Sequence, residues 1–166
     1  ECVANLAVID SDLRTAREMS KFEQFWIGWS FDFRGRMYPV SHFNYHRDDH
    51  VKALFLLARG KKLDDESVGW LYIHLANTGD FEKVSKKSLD DRIQWVEDNH
   101  DQIMAAAEDY KSTFEYWSKA DKPFQFLSAC FEYRKLQEQG IDNYVCHMPI
   151  SLDGTNSGVQ HYSAAL

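Results

Sequence analysis

The sequence predicts a helix-rich α+β chain. Apolar residues recur at helical spacing through the middle, from Val68 to Phe131, and alternate with period two close to the ends. An apolar fraction of 44% with 14% aromatic residues, in 166 residues, is enough for a substantial core. Element by element, Val3, Leu6, Ala7, Leu13 and Ala16 fall at helical spacing among acids and bases and predict a surface helix over about residues 3–24. The aromatic run Phe25–Phe31 reads as extended, and Arg36–Val40 as its returning strand after a turn at Arg34-Gly35. Val51–Ala58 is a nearly continuous apolar run, either a buried helix or a buried strand, ended by Arg59-Gly60. Val68, Leu71, Tyr72, Leu75 and Ala76 form one helical stripe closing near Gly79. Ser88 with Asp91 has capping-box spacing, and Leu89, Ile93, Val96, Ile103 and Ala107 continue the helical period behind it. Pro123 sits where a helix can start and Gly140 where it can close. Cys146, Met148, Ile150 and Leu152 then alternate as a strand, with Pro149 demanding an edge or a bulge, and a helix is expected from about Ser157. The organisation expected is a helical lead-in over residues 1–24 and one unit over residues 25–166.

Composition excludes several classes. No apolar run approaches the ~20 residues of a membrane helix, and acids at Asp10 and Asp12 break any signal-peptide pattern. Cys2, Cys130 and Cys146 are too few and too scattered for a disulfide framework or a zinc knuckle, which indicates a reducing compartment. A formal net charge of −7 argues against a stand-alone nucleic-acid binder. The chain opens without Met and closes on Ser163-Ala164-Ala165-Leu166 with no helix stop signal, so it reads as a piece of a longer protein carrying part of a site.

Three constellations carry chemistry. Asp32-Phe33-Arg34-Gly35-Arg36 sets one carboxylate and two guanidiniums around a glycine between two strands. Arginine forks suit phosphate or base edges, whereas the plain alternative is a turn whose arginines pair with nearby acids. In Leu152-Asp153-Gly154-Thr155-Asn156-Ser157-Gly158-Val159-Gln160-His161 a strand delivers a carboxylate to a turn that opens a helix. Asp153 and the Gly154 carbonyl are hard-cation donors, and a helix N-terminus suits phosphate. The alternatives there are an Asx turn at Asp153 and a capping pair at Ser157 and Gln160. His42, His46 and His50 would line one face of a helix as metal ligands, but Ser41, Asn44, Asp48 and Asp49 just after Pro39 favour a loop, and the metal reading is set aside.

Taken together, DFRGRMYPVS and LDGTNSGVQHYSA, with ALFLLARGK, Asp98-Asn99-His100 and Pro123–Leu127 leading into Cys130-Phe131-Glu132-Tyr133 between them, resemble the single-subunit RNA polymerases of bacteriophages and mitochondria. The resemblance implies part of the palm of a right-hand fold and synthesis of RNA on a DNA template from nucleoside triphosphates, with two Mg2+ ions in the complete enzyme. It implies that Asp153 is the first of two palm carboxylates and that Gly154 offers its backbone oxygen to the metal. Arg34 and Arg36 would contact the template and the growing RNA–DNA hybrid near the active site, with Ser157 and Gly158 in the remainder of the palm motif. The partners implied are DNA template, RNA transcript, nucleoside triphosphates and the rest of the polymerase chain, with no membrane. A second metal-binding Asp, a nucleotide-gripping Lys and a sugar-checking Tyr would lie beyond Leu166, so the chain alone is expected to be inactive. Two rival readings are the palm segment of a related DNA polymerase, whose first palm motif runs Asp-aromatic-Ser, and a non-enzymatic acidic helical interaction module.

Overall fold

A computed structural model of the chain describes residues 2–151. Among the described residues are eight helices and two small two-stranded sheets, a helix-rich α+β architecture as the sequence predicts. Two compact units divide the chain. One runs to His46 and takes the chain up again at Ser151; the other is Arg47–Ile150.

The first unit opens with α1 (Cys2–Met19), a surface helix that stops short of the predicted residue 24. Leu6, Ile9 and Leu13 stay exposed, while Asp12 is buried. Strand β1 (Trp29–Phe31) pairs antiparallel with β2 (Met37–Pro39), Trp29 opposite Pro39 and Phe31 opposite Met37, which is the expected hairpin. The stretch after Pro39 is a loop, as its polar residues predict. Asn44 is buried in it; its amide donates to the carbonyls of Ser41 (2.7 Å) and His42 (3.2 Å), and its oxygen accepts from His46 N–H (2.7 Å). The side chain thereby replaces missing backbone partners and fixes the loop. The His46 ring stands edge-on to Trp29 at 5.1 Å.

The second unit begins with α2 (Asp49–Lys52), followed by β3 (Lys61–Lys62) and α3 (Asp65–Gly79). A 3-10 helix over Phe81–Lys86, then α4 (Leu89–Asp98), α5 (His100–Glu108), α6 (Phe114–Trp117), α7 (Pro123–Gln139) and β4 (Val145–Cys146) complete it. Helix α3 packs on α4 and α7, and α5 packs on α7. Leu71, Leu75, Val96, Ile103, Phe126 and Cys130 fill the space between them. The Phe81 ring stacks between Trp95 and Tyr116, 5.8 and 5.1 Å away, with Phe126 edge-on.

Helix ends follow local chemistry. The Ser88–Asp91 capping box is present, and a second one, Asp64 with Ser67, opens α3. Gly140 closes α7 at φ +74°, a conformation costly for any residue with a Cβ. Lys122 gives α7 no side-chain cap, and Asp49 supplies it from α2. Its carboxylate accepts from the backbone N–H of Phe124 (2.7 Å) and of Gln125 (3.1 Å), satisfying donors that a helix start leaves open.

Two expectations are corrected. Val51–Ala58 is neither a buried helix nor a buried strand. Val51 is fully buried in α2, but Leu54, Leu56 and Leu57 lie exposed beyond it. The segment is drawn out because Leu57 N–H donates to the His147 carbonyl (2.8 Å) and Gly60 must pass close under β4. A Cβ on Gly60 would collide with Val145 Cγ1 and meet His147 Nε2 at 2.5 Å. Among the described residues, the strand expected over residues 146–152 forms a ladder only at Val145–Cys146, opposite Lys62 and Lys61. Its alternation persists without pairing, since Tyr144, Cys146 and Met148 are buried and Val145 is exposed. Pro149, with no N–H to give, cannot extend the ladder.

His74 lies buried in α3, and burial, with Lys122 nearby, pushes its imidazole pKa down to about 4. The unfolded chain takes up a proton near pH 6.5, so stability present above that pH is lost as pH falls towards 4, by up to about 3 kcal/mol. Denaturant unfolding of the parent and of His74→Gln should show the parent's advantage shrinking between pH 7 and 4.5. A constant advantage over that range would mean that the folded imidazole titrates normally.

Candidate nucleic-acid interface

The hairpin's connecting residues are organised by one carboxylate. Asp32 Oδ1 accepts from the backbone N–H of Arg34 (2.8 Å) and of Arg36 (3.0 Å). Its Oδ2 accepts from Arg34 Nε (3.1 Å) and Nη2 (3.0 Å). The backbone closes the same ring, Asp32 N–H to the Arg36 carbonyl at 2.9 Å and Gly35 N–H to the Asp32 carbonyl at 3.0 Å. Gly35 sits at φ +75°, so glycine is required for the turn. The N–H of Arg36, with the Arg34 side chain and backbone, holds the Asp32 carboxyl below its ordinary range.

The two arginines therefore differ. Arg34 is committed to Asp32, and its guanidinium carbon lies 5.6 Å from the centre of the Phe33 ring. Pairing with a nearby acid, the plain alternative for this turn, is what Arg34 does. Arg36 is exposed, and its guanidinium has no hydrogen-bond or ion-pair partner among the described residues. One arginine builds the turn and the other is presented by it. Phe33 at the tip is 96% exposed and Phe31 72%, so the same hairpin also presents two aromatic rings to solvent. Sequence reasoning singled out both arginines but missed this division of labour, and it did not single out the two exposed rings.

Asp153, Gly154, Ser157 and Gly158, the other predicted site residues, lie outside the described residues, as does the helix expected from Ser157. Among the described residues no cluster of three or more His, Cys, Asp or Glu side chains is arranged to hold a metal. His42 and His46 lie on the loop after β2, and the His50 ring in α2 stands edge-on to Phe124 at 6.4 Å.

A family model described as DNA-dependent RNA polymerase matches residues 61–166. The chain belongs to this family. T7 RNA polymerase of Escherichia phage T7 is 41% identical over 156 residues, covering 93% of this chain and 17% of that protein. The mitochondrial DNA-directed RNA polymerase of Schizosaccharomyces pombe is 40% identical over 144 residues, 86% of this chain and 12% of that protein. The human mitochondrial enzyme is 34% identical over 142 residues, 84% and 11% respectively. The polymerase chain described here thus spans well under a fifth of the length of these relatives. A match over 93% of the chain leaves too few residues over for the arginine hairpin to fall outside it. Phage and mitochondrial RNA polymerases match at nearly the same identity. No described helix of this polymerase segment is long and apolar enough to cross a membrane.

Proposed function

We propose that this polymerase segment serves template-directed RNA synthesis, with Arg36 holding nucleic acid beside the reacting end and Asp153 as the catalytic carboxylate. In the reaction the RNA 3′-hydroxyl attacks the α-phosphorus of a nucleoside triphosphate in line, the bond to the β-phosphate breaks, and pyrophosphate leaves with the electron pair. DNA template, RNA transcript and nucleoside triphosphates are the partners of the whole polymerase. The observation that carries the reading is the hairpin: Asp32 engages Arg34 and the turn's own N–H groups, leaving Arg36 as a fork with no partner among the described residues, on a preorganised loop. Such a fork forms charge-assisted bonds to phosphate or to groove acceptors, and the backbone that presents it is already ordered within the turn.

Asp153 and the Gly154 carbonyl are hard oxygen donors of the kind magnesium takes, so the donor set fits, and these residues would hold the ion. Bound Mg2+ supplies charge neutralisation at the phosphates and a lowered pKa for the attacking hydroxyl. Ser157 and Gly158 follow on the same motif and are assigned to nucleic-acid contact. One carboxylate and one carbonyl are an incomplete set for a two-ion clamp, so the segment by itself is expected to be inactive.

The test is Arg36→Ala in a full-length polymerase carrying this segment. Binding of a template–primer duplex should weaken roughly tenfold at low salt, and the plot of log affinity against log salt should become shallower by about 0.9. Affinity and slope both equal to the parent's would remove Arg36 from the interface.

A further inference from the structure

We propose that the side of the hairpin turned away from Arg36 is a docking face for the polymerase's own chain, covered by a part of it outside residues 1–166; this rests on the reading of Arg36 given above. The register sorts the hairpin's side chains into two sets. Trp29 lies opposite Pro39 and Phe31 opposite Met37, and residues directly opposite in an antiparallel pair project from the same face. The other face takes Ser30 and Tyr38 and, one step past the ladder, Asp32 and Arg36, whose backbones still bond to each other at 2.9 Å. Arg34 Nη2 comes within 3.5 Å of the Tyr38 hydroxyl, in keeping with that sorting. One face is thus polar and carries the presented guanidinium, and the reverse face is apolar throughout. On it Phe31 is 72% exposed, Met37 50% and Trp29 45%, a contiguous apolar patch of the kind that marks an interaction surface. Nucleic acid held by Arg36 lies against the polar face, so the reverse one is left to another occupant. Protein suits it: Met37 adapts to irregular apolar contacts and is no platform for stacked bases, and the His46 ring of this chain already packs edge-on against Trp29. The stretch matched in T7 RNA polymerase is 17% of that protein, so a polymerase of that length has ample further chain to supply the cover. Seated in this way, the hairpin cannot swing, and the direction in which Arg36 points is fixed before nucleic acid arrives.

Met37 is a native probe of this face, because peroxide converts a thioether to the sulfoxide only where it can reach the sulfur. In the unaltered full-length polymerase carrying this segment, without nucleic acid, Met37 should be oxidised at least about tenfold more slowly than in the urea-unfolded chain. Buried Met148 gives the protected rate in the same digest. Phe31→Cys bearing a benzophenone should, on irradiation, cross-link within its own chain to a peptide outside residues 1–166. Oxidation of Met37 within about twofold of the unfolded rate would overturn the proposal, since the face would then be open. Protection that appears only when a template–primer duplex is added would overturn it by making nucleic acid the cover. Protection that is lost on dilution would do so by making the cover a second copy of the polymerase, and a cross-link confined to residues 1–166 would overturn it as well. Arg36→Ala separates the two layers. Protected Met37 beside an Arg36→Ala variant of parental duplex affinity and salt slope keeps the docking face and dismisses the Arg36 contact. Reactive Met37 beside the losses expected of Arg36→Ala does the reverse.

Discussion

Asp153→Asn in a full-length polymerase carrying this segment is expected to lower elongation turnover by more than about a thousandfold while template affinity stays within about threefold. Asn keeps the shape and one oxygen of the side chain but loses the charge by which a carboxylate holds a hard cation. A thousandfold corresponds to about 4 kcal/mol of transition-state stabilisation, the scale seen when one electrostatic partner is removed from a preorganised site. Template affinity should survive because, on the proposed reading, it comes from cationic groups such as Arg36 and not from a carboxylate. Single-turnover nucleotide addition on a preformed template–primer duplex measures the first quantity, and equilibrium binding of the same duplex the second. Elongation within tenfold of the parent would dismiss Asp153 as a catalytic group.

The second large effect is on stability. Glu132 is buried on α7, accepting from the Tyr144 hydroxyl at 2.5 Å through Oε2 and from Lys135 Nζ at 2.6 Å through Oε1. Tyr144 is buried too, and desolvation, together with its bond to Glu132, drives the phenol's pKa far up, so it remains a donor throughout the accessible pH range. Glu132→Ala strands that hydroxyl in the core and opens a void, which should cost about 3 kcal/mol. Tyr144→Phe leaves the buried carboxylate with Lys135 alone and should cost about 2 kcal/mol. Replacing both, as Glu132→Leu with Tyr144→Phe, should recover most of the loss, because a buried polar pair and a well-packed apolar pair are of similar net worth. Hydrogen exchange of the α7 amides reports all three. Additive losses in the double variant would show that the two side chains act separately.

How far the sequence could be read depended on the range of the interactions. Ser88 with Asp91, Pro123, Gly140 and the Arg34-Gly35 turn were legible because each is decided by residues a few positions apart. The Val51–Ala58 run was misread because apolar content signals burial only where another layer covers it, and Leu54, Leu56 and Leu57 have no such cover within their unit. Asp49 could not be recognised as the cap of α7, since nothing local links it to Phe124. At the candidate site, motif spacing pointed to both arginines, but which one pairs with Asp32 is a matter of side-chain geometry that the order of residues does not contain.

The Asp49 cap also bears on how the chain folds as it is made. Asp49 precedes Phe124 by 75 positions, so at ribosomal rates of roughly 5–20 residues per second it emerges several seconds earlier. The nascent α7 thus meets a finished acceptor on arrival, and its first turn need not wait for anything translated later. Synthesis in the N-to-C direction delivers the two halves of this contact in the useful order, and a circular permutant opened between α2 and α7 would reverse it.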